Sequence, residues 1–170
     1  MESFKEVKFS VQMKTGYMFD FLYWHSYHGI TGIINYVLSF AGVVALLAGF
    51  GKGNTAVTVM LVALASLFTV INPLLLLYKA AGQIKRTPMF AKPLHYKFDT
   101  RGFSVSQENT SDSAEWNSVV LIRETGKSII LYMGAANALI LPKKEIGDQI
   151  GELKKLMHAA LPQLAKKLKK

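Results

Sequence analysis

Two apolar stretches decide the fold: ITGIINYVLSFAGVVALLAGF at residues 30–50 and AVTVMLVALASLFTVINPLLLLY at residues 56–78. Neither stretch contains a charged side chain, and only residues 51–55 separate them. A helix rises about 1.5 Å per residue, so roughly 20 apolar residues are needed to cross a hydrocarbon core of about 30 Å. Each stretch meets that length, and the short connection makes the two helices antiparallel. The sequence therefore predicts a two-helix transmembrane hairpin over residues 30–78.

The distribution of charge predicts the orientation of this hairpin. The chain has a formal net charge of +9 and no carboxylate between Asp20 and Asp99. Five cations follow the second stretch between residues 79 and 98, whereas the connection contains only Lys52. Positive residues at the ends of spans favour the cytoplasmic side. We therefore expect a multi-pass protein of the cell membrane with both termini cytoplasmic, and a first span that is retained rather than removed as a signal peptide.

Polar and small residues inside the stretches predict how the two helices meet. Antiparallel packing places Asn35 and Asn72 at about the same depth, where an interhelical hydrogen bond would contribute roughly 0.6 to 2 kcal/mol. The alternative is that both amides reach the water of the headgroup layer. Ala41, Ala45 and Gly49 recur every four residues, which is typical of a close helix–helix contact in a membrane or of an oligomer interface.

Pro73 interrupts the second stretch. It has no N–H and its ring crowds the carbonyl of Thr69, so a kink is predicted there. The stretches contain none of the ionisable side chains that mark an ion or proton path through a membrane. We therefore do not expect transport by this hairpin.

The N-terminal flank predicts a strand followed by an aromatic helix. Apolar and polar residues alternate over residues 7–13, the pattern of a strand with one buried face. Because the other candidate strands lie beyond residue 90, we expect both flanks to meet in one domain, with the hairpin as an insertion. Residues 15–29 are rich in aromatics and predict an interfacial helix in the headgroup layer. Its expected interfacial anchors are Tyr23, Trp24, Tyr27 and His28.

The histidines of this segment do not make a convincing metal site. His25 and His28 could share one helix face, but neither a cysteine nor a suitably placed carboxylate completes a ligand shell. The chain contains no cysteine at all, which excludes disulfides and thiolate chemistry. We expect neither a metal nor a cofactor.

The C-terminal part predicts an antiparallel meander closed by a helix. Strands are expected at residues 94–99, 103–107, 114–124, 128–134 and 138–142, with a polar loop at 108–113. Apolar residues at helical spacing predict a helix over residues 144–161, and Pro162 separates it from a second short helix or a frayed tail. The chain thus divides into residues 1–29, the hairpin at 30–78 and a cytoplasmic domain at 79–170, an α+β membrane protein.

Several segments follow one another in a characteristic order: the opening strand, YWHSYH at 23–28, the two spans, YKF at 96–98 with GF at 102–103, EWNSVV at 115–120, IILY at 129–132 and LILPKK at 139–144. Taken in this order, they resemble the YcxB-like family of bacterial membrane proteins. The resemblance covers nearly the whole chain. It implies a pleckstrin-homology-like (PH-like) cytoplasmic domain and brings no catalytic residues.

The sequence favours a non-catalytic binding module over an enzyme. The soluble carboxylates lie mostly in or beside expected turns, His95 and His158 are isolated, and no phosphate loop or nucleophile motif is present. A site assembled from scattered residues is the remaining route to catalysis. Nucleic-acid binding is not expected, because the aromatics that would stack bases lie beside the membrane instead.

Basic residues near the membrane predict the ligand. Each one close to an anionic leaflet is worth about 1 kcal/mol of binding. The candidates for membrane or lipid contact are Lys85, Arg86, Lys92, Lys143, Lys144, Lys166 and Lys167. The expected partners are anionic lipid headgroups, a peptide or a membrane protein. Two alternatives stay open: these charges only set the topology, or the chain is a structural subunit that forms a homo-oligomer.

Overall fold

The computed structural model describes residues 6–49, 54–134, 137–166 and 168, and over these ranges the protein is an α+β fold with two antiparallel sheets. The first sheet has the order β1-β2-β3-β4, with strands Val7–Val11, Leu94–Phe98, Gly102–Gln107 and Thr110–Glu115. The second has the order β5-β6-β7, with strands Leu121–Glu124, Ser128–Tyr132 and Ala138–Pro142.

The first sheet joins the two ends of the chain. Strand β1 pairs antiparallel with β2, and Val7 lies opposite Phe98 while Val11 lies opposite Leu94. The alternation predicted a buried face, and Val7, Phe9 and Val11 indeed point into the core. The expectation that the two flanks meet is confirmed, because every residue from 15 to 86 is inserted between two neighbouring strands.

The insertion is helical. Its helices are α1 (Thr15–Tyr27), α2 (Ile30–Gly49), α3 (Thr55–Ser66) and α4 (Asn72–Arg86). A π-helical turn, Leu67–Ile71, joins α3 to α4, so that Thr55–Arg86 forms one continuous segment, the long helix. Both α2 and the long helix are long and apolar enough to cross a membrane. In the most apolar window of the long helix only 6% of residues are buried, and the helix continues past Tyr78 to Arg86.

The contact between α2 and the long helix uses a different face of α2 from the one predicted. Ser39 and Gly42 are buried, whereas Ala41 and Ala45 are exposed. A β-carbon on Gly42 would lie 2.8 Å from the backbone nitrogen of Ala65, so only glycine allows this approach. The predicted stripe was wrong as the contact within the hairpin, because a shift of one residue rotates a helix face by about 100°.

Helix α1 packs alongside α4. At one end of α1 the side chain of Asn72 donates a hydrogen bond to Tyr27, and near the other end Met18 shares a cavity wall with Gln83. The two helices are therefore antiparallel. Aromatic residues lie on several sides of α1 because it packs against both the second sheet and α4, as the ring contact between Phe21 and Tyr132 illustrates.

The strands after residue 107 differ from the prediction in two places. The expected polar loop at 108–113 is a tight turn followed by β4, with Gln107 opposite Thr110. Strand β4 is polar because it is an exposed edge strand, so it lacks the apolar alternation that would have identified it. The expected strand at 114–124 is broken by a 3₁₀ turn, Trp116–Ser118, where the sheet ends and the indole of Trp116 donates to the carbonyl of Asp99 at 2.8 Å.

The C-terminal helix is interrupted once more than predicted. Its parts are α5 (Lys143–Ile146), a 3₁₀ turn (Gly147–Gln149), α6 (Ile150–Ala160) and α7 (Pro162–Ala165). Gly147 has φ +60°, a left-handed conformation that ends α5 and that side-chain periodicity does not reveal. The predicted break at Pro162 is confirmed. Leu153 and Met157 of α6 are fully buried against the core that the two sheets share.

Candidate membrane-contact site

The last turn of α1 carries an aromatic stack with a cation on it. The ring of Trp24 stacks on that of His28, with 4.4 Å between centroids. Arg123, from β5, places its guanidinium carbon 5.8 Å from the centroid of Trp24. A guanidinium at this distance is attracted to the negative face of the indole. We call Trp24, His28 and Arg123 the Arg123 patch.

The Arg123 patch lies close to where the first apolar helix begins. Trp24 precedes Ile30 by six positions, and only the two non-helical residues His28 and Gly29 join α1 to α2. The side chain of Ile30 is 78% exposed, and Val120, just ahead of β5, is 58% exposed. Exposed apolar side chains thus flank a cation and two amphipathic rings, which is the composition typical of a membrane–water interface.

The buried ring of Tyr132 packs against two further rings of α1. Tyr132 contacts the rings of Phe21 and His25, with centroids 6.2 and 6.5 Å away. Burial raises the pKa of Tyr132, and the positive charge of Arg123 opposes that shift. The neutral phenol leaves the charge of Arg123 uncompensated on that side. His25 and His28 thus face different rings, and over the described ranges no three potential ligands form a metal site.

The opposite end of α1 is fixed by a carboxylate. Glu145, in α5, accepts hydrogen bonds from the hydroxyl of Tyr17 at 2.8 Å and from the Lys14 ammonium at 3.0 Å. The bond from Tyr17, followed by that from Lys14, lowers the pKa of Glu145. Because α1 is held at both ends, the position of Trp24 relative to β5 is defined by the fold.

Tyr27 differs from the other expected interfacial anchors. Its side chain is only 6% exposed, and its hydroxyl donates to the carbonyl of Phe68 in the π-helical turn. The backbone N–H of Asn72 bonds to Leu67, and Pro73 has no N–H, so this carbonyl lacks a helical donor. Tyr27 therefore satisfies the backbone group that Pro73 leaves unpaired.

Asn72 completes this arrangement. Its amide nitrogen lies 3.1 Å from the hydroxyl oxygen of Tyr27 and donates to it. Asn35, the partner that sequence predicted, is half-buried on α2, and no hydrogen bond joins it to Asn72 within the described ranges. The polar contact thus joins Tyr27 of α1 to Asn72 of the long helix, and α2 supplies no partner to Asn72 within the described ranges.

We expect Tyr27→Phe to lower the free energy of unfolding by about 1 to 3 kcal/mol, because it leaves the Phe68 carbonyl unpaired and removes the acceptor of Asn72. Thermal unfolding of the full chain in a mild detergent measures this. Tyr23→Phe is the matched control, since the hydroxyl of Tyr23 makes only a 3.5 Å contact with Tyr36. Equal losses in the two variants would contradict the role of Tyr27.

The basic candidates fall into distinct environments. Lys85 and Arg86 are exposed at the end of the long helix, and Lys144 is exposed at the start of α5. Lys92 forms an ion pair with Glu108. Lys166 is exposed and donates to the side chain of Gln163 at 3.0 Å.

Lys143 is held within the fold rather than presented to a ligand. Its ammonium lies 2.7 Å from a carboxylate oxygen of Glu124 and donates to the carbonyl of Thr125 at 2.7 Å. We therefore remove Lys143 from the set of lipid contacts. Lys167, the remaining candidate, lies outside the described residues.

A protein-family model matches the middle of the chain. The family model described as YcxB-like protein matches residues 98–157, from the end of β2 into α6. This segment is similar to that family. The match confirms the predicted resemblance for residues 98–157. Searches of the curated proteins and of the solved structures each returned no significant match.

The YcxB-like segment supplies only part of the candidate site. It contains Arg123 and Tyr132, whereas Trp24 and His28 come from α1, outside the matched residues. Sequence reasoning missed Arg123 because nothing in the short strand LIRE distinguishes it from any other outward-facing cation. Only its position over the ring of Trp24 distinguishes it, and the two residues are 99 positions apart in the sequence.

Proposed function

We propose that this chain is a non-catalytic module of the cell membrane that presents a folded domain to anionic lipid headgroups at the cytoplasmic face. In this proposal α2 and the long helix cross the bilayer. The observation that carries it is the position of Arg123, stacked on Trp24 in the last turn of α1, which leads directly into α2. A cation held beside the start of α2 meets the phosphates of the adjoining leaflet.

The pairing of β1 with β2 supports a hairpin with both ends on one side. These strands precede and follow the two apolar helices, and neighbouring strands of one sheet must lie on the same side of a bilayer. The number of crossings between them is therefore even. Lys79, Lys85 and Arg86 favour the cytoplasm for that side.

The proposal includes a PH-like classification of the domain. Its support is the set of elements outside the helical insertion: a sheet of four strands, a sheet of three strands and a C-terminal helix whose apolar face covers the core. The proposed function does not depend on this classification, because the lipid contact involves the Arg123 patch and not the fold class.

Arginine suits phosphate better than any other side chain in this position. Its fork of N–H donors binds two phosphate oxygens at once, and stacking on an indole leaves the edge of the guanidinium open. Over the described residues the guanidinium of Arg123 makes one hydrogen bond, a 3.4 Å contact with the carbonyl of Ile122. Lys85 and Arg86 would add attraction to an anionic surface without fixing orientation.

Arg123→Gln is expected to weaken binding of phosphatidylglycerol about five- to tenfold, because one favourably placed charge near an anionic headgroup contributes about 1 kcal/mol or slightly more. The measurement is native mass spectrometry of the full chain, delipidated in neutral detergent and titrated with phosphatidylglycerol or phosphatidylcholine. Arg101→Gln, an exposed arginine in the β2–β3 turn, is the matched control.

Two results would reject this proposal. One is equal binding of phosphatidylglycerol and phosphatidylcholine by the unmodified chain. The other is an equal loss in the Arg101 and Arg123 variants, which would indicate a general effect of charge rather than a site.

A structural subunit is the second candidate. The exposure of Ala41 and Ala45 on α2 favours it, since small residues on an open helix face allow another helix to approach. Crosslinking of the chain in lipid would then give dimers.

A further inference from the structure

A cavity of about 570 Å³ lies between the inner face of the first sheet, α1 and the C-terminal end of α4. Its walls include Met18 of α1, Gln83 of α4, Phe103 of β3 and Leu139 of β7. Small-molecule sites commonly have volumes of about 300 to 1,000 Å³ and mostly apolar walls with a few polar groups. The cavity meets both conditions.

The walls are unusually rich in methionine. Met13, Met18, Met89 and Met133 all border the cavity, out of seven methionines in the chain. Methionine is flexible and polarisable, so surfaces built from it accommodate apolar groups of varied shape. The cavity is therefore suited to a flexible apolar body rather than to one rigid ligand.

The charge at the cavity selects among apolar ligands. Asp112, on the edge strand β4, is the one charged side chain among the described lining residues. It is exposed, and within the described parts of the chain its carboxylate has neither an ion pair nor a hydrogen bond. A ligand with a negative headgroup would be repelled there, whereas a positive one would gain a partner.

Asp112 also lies where two cavities meet. A second cavity of about 470 Å³ shares Asp112, Met89 and Val105 with the first. In that second cavity the carboxylate of Glu108 is already paired with Lys92. Asp112 is thus the carboxylate left available to a ligand that enters from either side.

With the long helix across the bilayer, as proposed above, the cavity opens near the headgroup region. Gln83 and Thr87, which form its α4 wall, follow Tyr78 by five and nine residues, or about 8 and 14 Å along a helix. An amphiphile whose headgroup lies at the bilayer surface therefore has a short path to the opening.

We propose that this cavity binds a small amphipathic cation, with its apolar chain among the methionines and its ammonium group at Asp112. The site is separate from the Arg123 patch and opposite to it in charge. If Arg123 does not bind lipid, the proposal for the cavity is unaffected. If the cavity does not bind an amphipathic cation, the proposal for Arg123 is unaffected.

The test uses ¹³C-methyl NMR of methionines in the full chain, reconstituted in phosphatidylcholine nanodiscs. Decyltrimethylammonium is the probe, and decanoate is the anionic match. We expect saturable shifts of the methyl signals of Met13, Met18, Met89 and Met133, without shifts of Met60 in α3 or Met157 in the core of α6. Decanoate should leave all of these signals in place.

Two variants assign the binding to the cavity. Asp112→Asn should weaken binding of the probe about tenfold, because it removes the one negative charge that faces the ammonium group. Asp148→Asn removes an exposed carboxylate from the turn after α5 and should change nothing. Ala138→Phe places a ring in the cavity while keeping Asp112, and it should also weaken binding.

Several results would overturn the proposal. Shifts of Met60 equal to those of the cavity methionines would mean that the probe only partitions into lipid. Equal binding of decanoate, or full binding by Asp112→Asn, would remove the role of the charge. If only a lysine-containing apolar peptide shifts the four signals, the occupant is a polypeptide and the small-amphiphile assignment is wrong.

Discussion

Glu124→Gln is expected to lower the free energy of unfolding by about 3 kcal/mol, because breaking a buried ion pair leaves uncompensated charge. The side chain of Glu124 is only 3% exposed, and its carboxylate lies 2.7 Å from the Lys143 ammonium and 3.0 Å from that of Lys154. Without the negative charge the two ammonium groups repel each other. Thermal unfolding of the full chain in detergent should show a fall of about 6 °C or more in Tm.

Glu152→Gln is the matched control for this prediction. Glu152 is an exposed glutamate in the first turn of α6, so its loss should change the stability by no more than about 0.5 kcal/mol. If the two variants unfold at the same temperature, Glu124 does not hold the fold together as described.

The effect of Glu124 should extend to the candidate membrane-contact site. Lys143 also donates to the carbonyl of Thr125, and the hydroxyl of Thr125 donates to Asp20 of α1 at 2.5 Å. The cluster therefore connects β5, α5, α6 and α1. Since Arg123 and Trp24 lie on two of these elements, loosening the cluster also loosens the Arg123 patch.

Gly42→Ile is expected to destabilise the contact between α2 and the long helix by about 3 kcal/mol, since overpacking usually costs about 1 to 3 kcal/mol and backbone atoms cannot move aside as a side chain can. A β-carbon there would lie 2.8 Å from the nitrogen and 3.1 Å from the α-carbon of Ala65. Chemical unfolding of the full chain in detergent measures the loss.

Ala45→Ile provides the comparison on the same helix. Ala45 belongs to the stripe of small residues that the sequence suggested as the contact, yet it is exposed. In monomeric protein its enlargement should have little effect on unfolding. A loss at Ala45 larger than that at Gly42 would place the contact on the predicted stripe instead.

The sequence was most informative where one periodic pattern extended over many residues. The lengths of the apolar stretches predicted α2 and most of the long helix, and strict alternation predicted β1 and its buried face. The strand at Ala138–Pro142 was predicted with its observed bounds. Such patterns reflect burial repeated along an element, which is a local property of the chain.

Sequence reasoning failed where a single residue or an edge decided the structure. Strand β4 has no apolar face because it is exposed, and Gly147 ends α5 through its backbone conformation. The surroundings of Lys143 were equally hidden. The charge of Lys143 suggested a lipid contact, whereas in the fold its ammonium is paired with Glu124.

By itself the amino-acid sequence determined that the chain has two helices apolar enough for a membrane, that its first strand needs a distant partner, and that positive charge follows the second helix. Only the tertiary structure decided which helix face is in contact, that Tyr27 pairs with the carbonyl released by Pro73, and that Arg123 lies over Trp24. The physical reason is range: hydrophobic periodicity acts between residues a few positions apart, whereas these contacts join atoms that only the folded backbone brings together.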